Sequence, residues 1–176
     1  MNQTVSRLSL LGLVVFVFFA MAPAAHAGVG DRVTGGAEEI QAGSVIISIT
    51  ANAIEMLDKD GVPKGIKGSV QYTREDADGK ALIVHSPAEC LFISADGLSA
   101  EIAGPAVVHE NTVGISTDDW FIVGIREGGT GAGDTVRAGF IPAGDGCTGA
   151  FVGACSASGC PGLVLEGEFK IRPVTP

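Results

Sequence analysis

Apolar and polar residues alternate with a period of two through most of the chain beyond residue 43. Val45, Ile47 and Ile49 fall on one side of a segment, and Ser44, Ser48 and Thr50 fall on the other. Ile66, Val70 and Tyr72 oppose Lys67, Ser69, Gln71 and Thr73. That period belongs to a half-buried strand, whose side chains point alternately to the two faces of a sheet. Further strands are predicted over 80–86, 90–94, 98–102, 120–126 and 135–141. A last one carries Leu163, Leu165, Phe169 and Ile171 on one face and Glu166, Glu168, Lys170 and Arg172 on the other.

Asp60-Gly61, Asp78-Gly79 and Asp96-Gly97 punctuate these runs at intervals of 18 residues. Asp-Gly tolerates the positive φ of a tight hairpin turn. The segments between the three pairs share little else, so they read as a meander and not a repeat. The spacing leaves roughly 12–15 residues per strand, long enough to need bulges and strong twist. The fold class expected is all-β: an antiparallel meander of long strands, barrel-like or sandwich, preceded by a signal-peptide helix.

The first 27 residues break the pattern. Arg7 precedes an apolar run from Leu8 to Met21, Pro23 interrupts any helix, and Ala25-His26-Ala27 has the small-x-small form of a cleavage site. This is the grammar of a secretory signal peptide cut between Ala27 and Gly28. Three regions follow: the signal peptide 1–27, a loose N-terminal lead-in over 28–43, and one β-domain over 44–176 with a Cys-containing loop at 144–162. The expected location is secreted or periplasmic, with no stable membrane anchor after cleavage.

Beyond residue 27 the chain has 10 basic and 20 acidic side chains, a net charge of −10. Such a surface repels nucleic-acid phosphates. Cys90, Cys147, Cys155 and Cys160 all lie in this part, and an even count after a signal peptide reads as two disulfides. Three pairings are possible. Cys155–Cys160 with Cys90–Cys147 is preferred, the long closure stabilising by about 4 kcal/mol and the short one by roughly 2–3. A zinc site would need a paired Cys-x-x-Cys or a nearby histidine, and neither is present.

Catalytic motifs are missing. The loop Glu127-Gly-Gly-Thr-Gly-Ala-Gly-Asp134 lacks the Lys-Ser/Thr ending of a phosphate cradle and leads into a strand, not a helix. It reads as a wide hairpin loop with Asp134 capping the turn, weak calcium binding being the lesser alternative. His85 and His109 lie in strand-like segments. With a carboxylate such as Glu110 they would form an acid–base or metal pair only if the fold brought them together. Of Trp120 and Phe121, one is expected in the core and the other partly exposed.

The order Lys67-Gly-Ser-Val-Gln-Tyr72, His85, Cys90, Asp96-Gly-Leu-Ser-Ala-Glu-Ile-Ala-Gly104 resembles a β-rich domain of uncharacterised exported bacterial proteins. In these a Gly-rich loop ending in Gly-Asp follows a strand, as Gly133-Asp134 does here, with Glu127 in place of the usual Asp. The resemblance spans roughly 44–140 and the last strand. It implies an exported β-domain and brings no activity with it. The function expected is a non-catalytic binding or surface module, its partner a protein or surface component, with no cofactor. The alternatives are a small-ligand-binding β-barrel, with a cavity among Tyr72, Phe121, Phe140 and Phe169, and a cryptic hydrolase.

Overall fold

The computed structural model describes residues 29–41, 45–128, 134–143, 146–151, 163–164 and 166–174. The signal peptide, the Ala27–Gly28 cleavage site, Cys155 and Cys160 lie outside the described residues. Among the described residues there are eleven strands: β1 (Val29–Gln41), β2 (Val45–Leu57), β3 (Pro63–Glu75), β4 (Ala81–Pro87), β5 (Cys90–Ile93), β6 (Ser99–Pro105), β7 (Val107–Asn111), β8 (Trp120–Arg126), β9 (Thr135–Ile141), β10 (Leu163–Val164) and β11 (Glu166–Arg172). They form two open antiparallel sheets, ordered β11-β1-β2-β3-β4-β7 and β10-β9-β8-β6-β5. The fold is a sandwich-like all-β domain and not a closed barrel.

The alternation seen in the sequence is the pleat of the first sheet. Ile47, Ile49, Ala51 and Ala53 of β2 face inward and are buried, as is Val70 of β3, while Thr50, Asn52, Gln71 and Thr73 are exposed. Of the long strands expected between turns, β2 and β3 have 13 residues each, and the segment after the second turn is divided into β4 and β5. The three Asp-Gly turns share one geometry. The amide of Gly61, Gly79 or Gly97 donates to the carbonyl three residues back, on Asp58, Asp76 or Ser94, and each glycine sits at a φ of 69–80°. The third turn is locked further: Asp96 Oδ1 accepts from Ser94 Oγ and from the Leu98 amide. These bonds, with that from Ser94 the largest effect, hold its carboxyl below the ordinary range.

Two expectations need correction. The segment expected as a loose lead-in is the strand β1, paired along most of its length with β2 and over Arg32–Glu38 with β11 (Gly35 opposite Ala51 and Phe169). Its glycines and alanines hid the pattern, because a strand flanked on both sides needs little side-chain bulk to be held. The final strand is two strands: β10 joins β9 in the second sheet and β11 joins β1 in the first, the change falling between Val164 and Glu166. The same event recurs at Ala88-Glu89, between β4 and β5, and at Ala106, between β6 and β7. Between β10 and β11 the register keeps one parity, Leu163 opposite Val136 and Ile171 opposite Val33, so the sequence reads straight through that change.

The crossings at 88–89 and 106 meet at one corner. Ala88 N–H donates to Gly68 O (3.0 Å), Glu89 N–H to Ala103 O (2.9 Å) and Ala106 N–H to Asp119 O (2.8 Å), so no crossing amide is orphaned. Gly104 lies against the crossing chain: a Cβ placed on it would be 1.7 Å from Pro87 O.

Between the sheets, Tyr72, Phe121 and Phe140 form an aromatic row, with centroids 5.4 Å and 5.1 Å apart. Burial pushes the Tyr72 phenol above its usual value near 10, with Arg74 opposing the rise and Asp76 adding to it. The folded state therefore holds this proton more tightly than the unfolded chain does. The stability linked to it is full below pH about 10 and is lost as pH rises through the raised value.

Two measurements check this architecture. Gly104→Ala should destabilise the domain by about 3 kcal/mol or more, because backbone and not a flexible side chain occupies the space; an unchanged urea midpoint would refute the corner packing. Tyr72 is the only tyrosine, so phenolate absorbance titrates it alone. Its midpoint should lie above 10 in the folded protein and return to the ordinary value in denaturant.

Candidate functional site

The second sheet is buried on both faces in its centre. Ala100, Ile102, Phe121, Val123 and Ile125 face the first sheet, and on the outer side Glu101, Ala103 and Ile122 are also buried. An antiparallel sheet with one face in water would show polar residues at those outer positions. Here a segment lies across them. Cys147 is disulfide-bonded to Cys90 of β5, with Cα atoms 5.8 Å apart, and this anchors residues 146–151 over the outer face. The long-range pairing expected from the sequence is thus present.

Beneath the segment the strand register sets up one polar row. Phe92 of β5 stands opposite Glu101, Glu101 opposite Gly124, and Gly124 opposite Arg137 of β9. Gly124 carries no side chain, so acid and guanidinium flank a gap in the sheet surface. Glu101 is 0% exposed, and its Oε2 accepts from the Gly149 amide at 2.8 Å. A carboxylate taken out of water costs several kcal/mol unless donors compensate it, so this bond ties the covering segment to the sheet. On the other flank the Arg137 guanidinium lies 4.5 Å from the centre of the Phe151 ring, in a cation–π contact. A recess of about 410 Å³ remains, lined by Glu101, Ile122, Arg137, Ile141, Thr148 and Phe151 among others. It offers an acidic group, a planar cation and an aromatic wall, a set suited to recognition. Histidine and cysteine thiol are missing from its described lining.

The sequence carried one signal of this second buried face. Phe121-Ile-Val-Gly-Ile125 is an unbroken run where a one-faced strand would alternate. Glu101, the polar position between Ala100 and Ile102, gives no sign in the sequence of its burial.

The Gly-rich loop does something different from the chemistry it suggests. Asp134 Oδ1 accepts from the Gly128 amide (3.1 Å), which is the turn cap expected. Its other oxygen accepts from the Phe169 amide at 2.6 Å, and Glu127 Oε1 accepts from the Ile171 amide at 2.5 Å. Both donors belong to β11, so two acids of the second sheet bind the outer edge of the first.

His85 and His109 do come together. They line a shallow depression of about 360 Å³ on the outer face of the first sheet, with Gln71 and Thr73. Among the described residues neither histidine hydrogen-bonds to a carboxylate, and Glu110 is turned to Thr112 Oγ1. The neighbouring Ser86 hydroxyl points to the opposite face, where it is buried with no partner among the described residues. No group of three or more metal-ligating side chains occurs among the described residues. Phe121 is a core residue and Trp120 is half-buried, as expected. The interior space beside Tyr72, Phe121 and Phe140 is about 90 Å³, room for roughly three waters and far below the several hundred Å³ of a ligand cavity.

The chain matches no protein-family model, no curated protein and no solved structure.

Asp134→Ala should cost about 2–3 kcal/mol, because it leaves the Phe169 and Gly128 amides without their acceptor. Glu127→Gln, which keeps an acceptor oxygen, should cost less than about 1 kcal/mol. Thermal unfolding of the two variants distinguishes them; equal midpoints would mean that the acids do not hold β11.

Proposed function

We propose that this protein is an exported, non-catalytic β-sandwich module that binds a protein or surface component through the recess on the outer face of its second sheet. The observation that carries the reading is the covering segment held over Glu101 and Arg137 by the Cys90–Cys147 bond. A scaffold that needs only a core does not need a disulfide-anchored roof over an acid and a guanidinium. Sites of recognition are commonly loops fixed on a rigid sheet.

Export is supported by one feature besides the leader. A disulfide joining strands to a distant loop persists in oxidising compartments. Among the described residues no helix is long and apolar enough to cross a membrane. Secretion or periplasmic delivery would release the chain at Gly28, one residue before β1 begins.

The hydrolase alternative would draw on the His85–His109 depression, which lacks a hydrogen-bonded acid among its described residues. The barrel alternative would draw on an interior that is packed and not closed into a barrel.

The test uses a photo-crosslinking residue at Thr148, exposed on the rim of the recess, and at Thr73, exposed on the opposite sheet. In cells exporting the protein, the Thr148 probe should yield a discrete adduct that is lost when Arg137→Ala is added, and the Thr73 probe should not. Equal adducts from both positions, or an Arg137-independent one, would overturn the assignment. Retention of residues 1–27 on the recovered protein would overturn export with cleavage.

A further inference from the structure

We infer that the tip of the β2–β3 hairpin is a binding site for a single-chain anionic amphiphile, an aliphatic tail carrying a phosphate or carboxylate head. β3 pairs with β4 only from Ser69 onward, so the hairpin projects past β4 as an arm. Along the arm a groove of about 630 Å³ is lined by Met56, Leu57 and Ile66 and rimmed by Lys59, Lys64 and Lys67. Val62, at the turn, is 56% exposed.

The charge pattern selects the ligand. Three of the five lysines of a chain with net charge −9 fall in these nine positions. Lys80 and Lys170, elsewhere, are paired with Asp78 (2.6 Å) and Glu168 (3.0 Å). At the arm, Lys64 and Lys67 form no ion pair among the described residues, and Lys59 lies 3.9 Å from Asp60 with both groups largely in water. An ion pair that exposed holds its lysine weakly. Two of the nearby acids are turned to backbone: Asp58 Oδ1 accepts from the Asp60 and Val62 amides, and Glu55 Oε2 from the Asp31 amide. The groove therefore presents uncommitted ammonium groups beside half-buried apolar side chains, complementary to a ligand with a negative head and an aliphatic tail. An acidic protein elsewhere repels such a ligand, so binding is confined to this arm.

This site lies on a different part of the fold from the recess under Cys147, and the two readings stand or fall separately. The probe is dodecyl phosphate, added below its micelle-forming concentration to protein labelled with methyl-13C methionine. Met56 lies in the groove and is one of three methionines in the chain; Met56→Leu identifies its signal. The Met56 methyl should shift saturably with dodecyl phosphate, and not with inorganic phosphate or dodecyltrimethylammonium. The combined change Lys64→Gln and Lys67→Gln should weaken binding at least tenfold, while Lys80→Gln leaves it unchanged. No shift, an equal response to the cationic amphiphile, or a response to phosphatidylglycerol vesicles alone would overturn the proposal. The contrast between probes is read on the unaltered protein, so it decides the matter even if the double variant misfolds.

Discussion

The corner where the chain changes sheets is the constraint on which the fold rests. Two crossings, at 88–89 and at 106, pass each other within the reach of a single side chain, and Gly104 is the residue that lets them pass. Each crossing strand must leave one hydrogen-bonded ladder and enter another without stranding its amides. Bonds to Gly68, Ala103 and Asp119 achieve that. Sandwiches with strands shared in this way act as one unit, because neither sheet can slide without dragging the backbone of the other.

Each sheet also has two edges, and an unprotected edge invites pairing with another chain. β5 and β10 are short, at four and two residues. β7 is out of register with β4 at Ile83/Val84, an irregularity that makes a poor template for continued pairing. β11 is longer, and there Asp134 and Glu127 accept from amides that would otherwise recruit a strand. The same two acids flank the glycines that in sequence suggested a phosphate or calcium loop. Their described bonds go to backbone, which is why loop composition was a poor guide to their role.

What was legible in the sequence was whatever depends on one segment at a time. Period-two faces in β2, β3 and β11 and the three Asp-Gly turns follow from local patterning and backbone preference. The pairing of Cys90 with Cys147 was one of three left open by the sequence, and the one preferred because Cys155 and Cys160 would close a short loop. The illegible parts depend on what a segment meets in space. β1 is strand because two neighbours flank it, although its own residues are poor strand formers. Glu101 is buried because a segment tethered 57 residues from its disulfide partner crosses above it. The lysines at 59, 64 and 67 looked scattered until a hairpin gathered them around one groove.

The pairing of β1 with β11 has a consequence for how the domain is assembled. Asp31 Oδ1 accepts from the Val174 amide across 143 residues of chain, and the strand pairing beside it is nearly as long-range. Contacts of that span place the fold among slow-forming topologies, since a large loop must close before the pairing rewards it. A chain delivered from its N-terminal end would present β1 with one side unpaired until β11 had arrived. For that interval the molecule carries an open edge over Arg32–Glu38 that β11 covers in the finished protein. Its exposure to mispairing is thus greatest before completion, and a truncation removing β11 would make that vulnerability permanent.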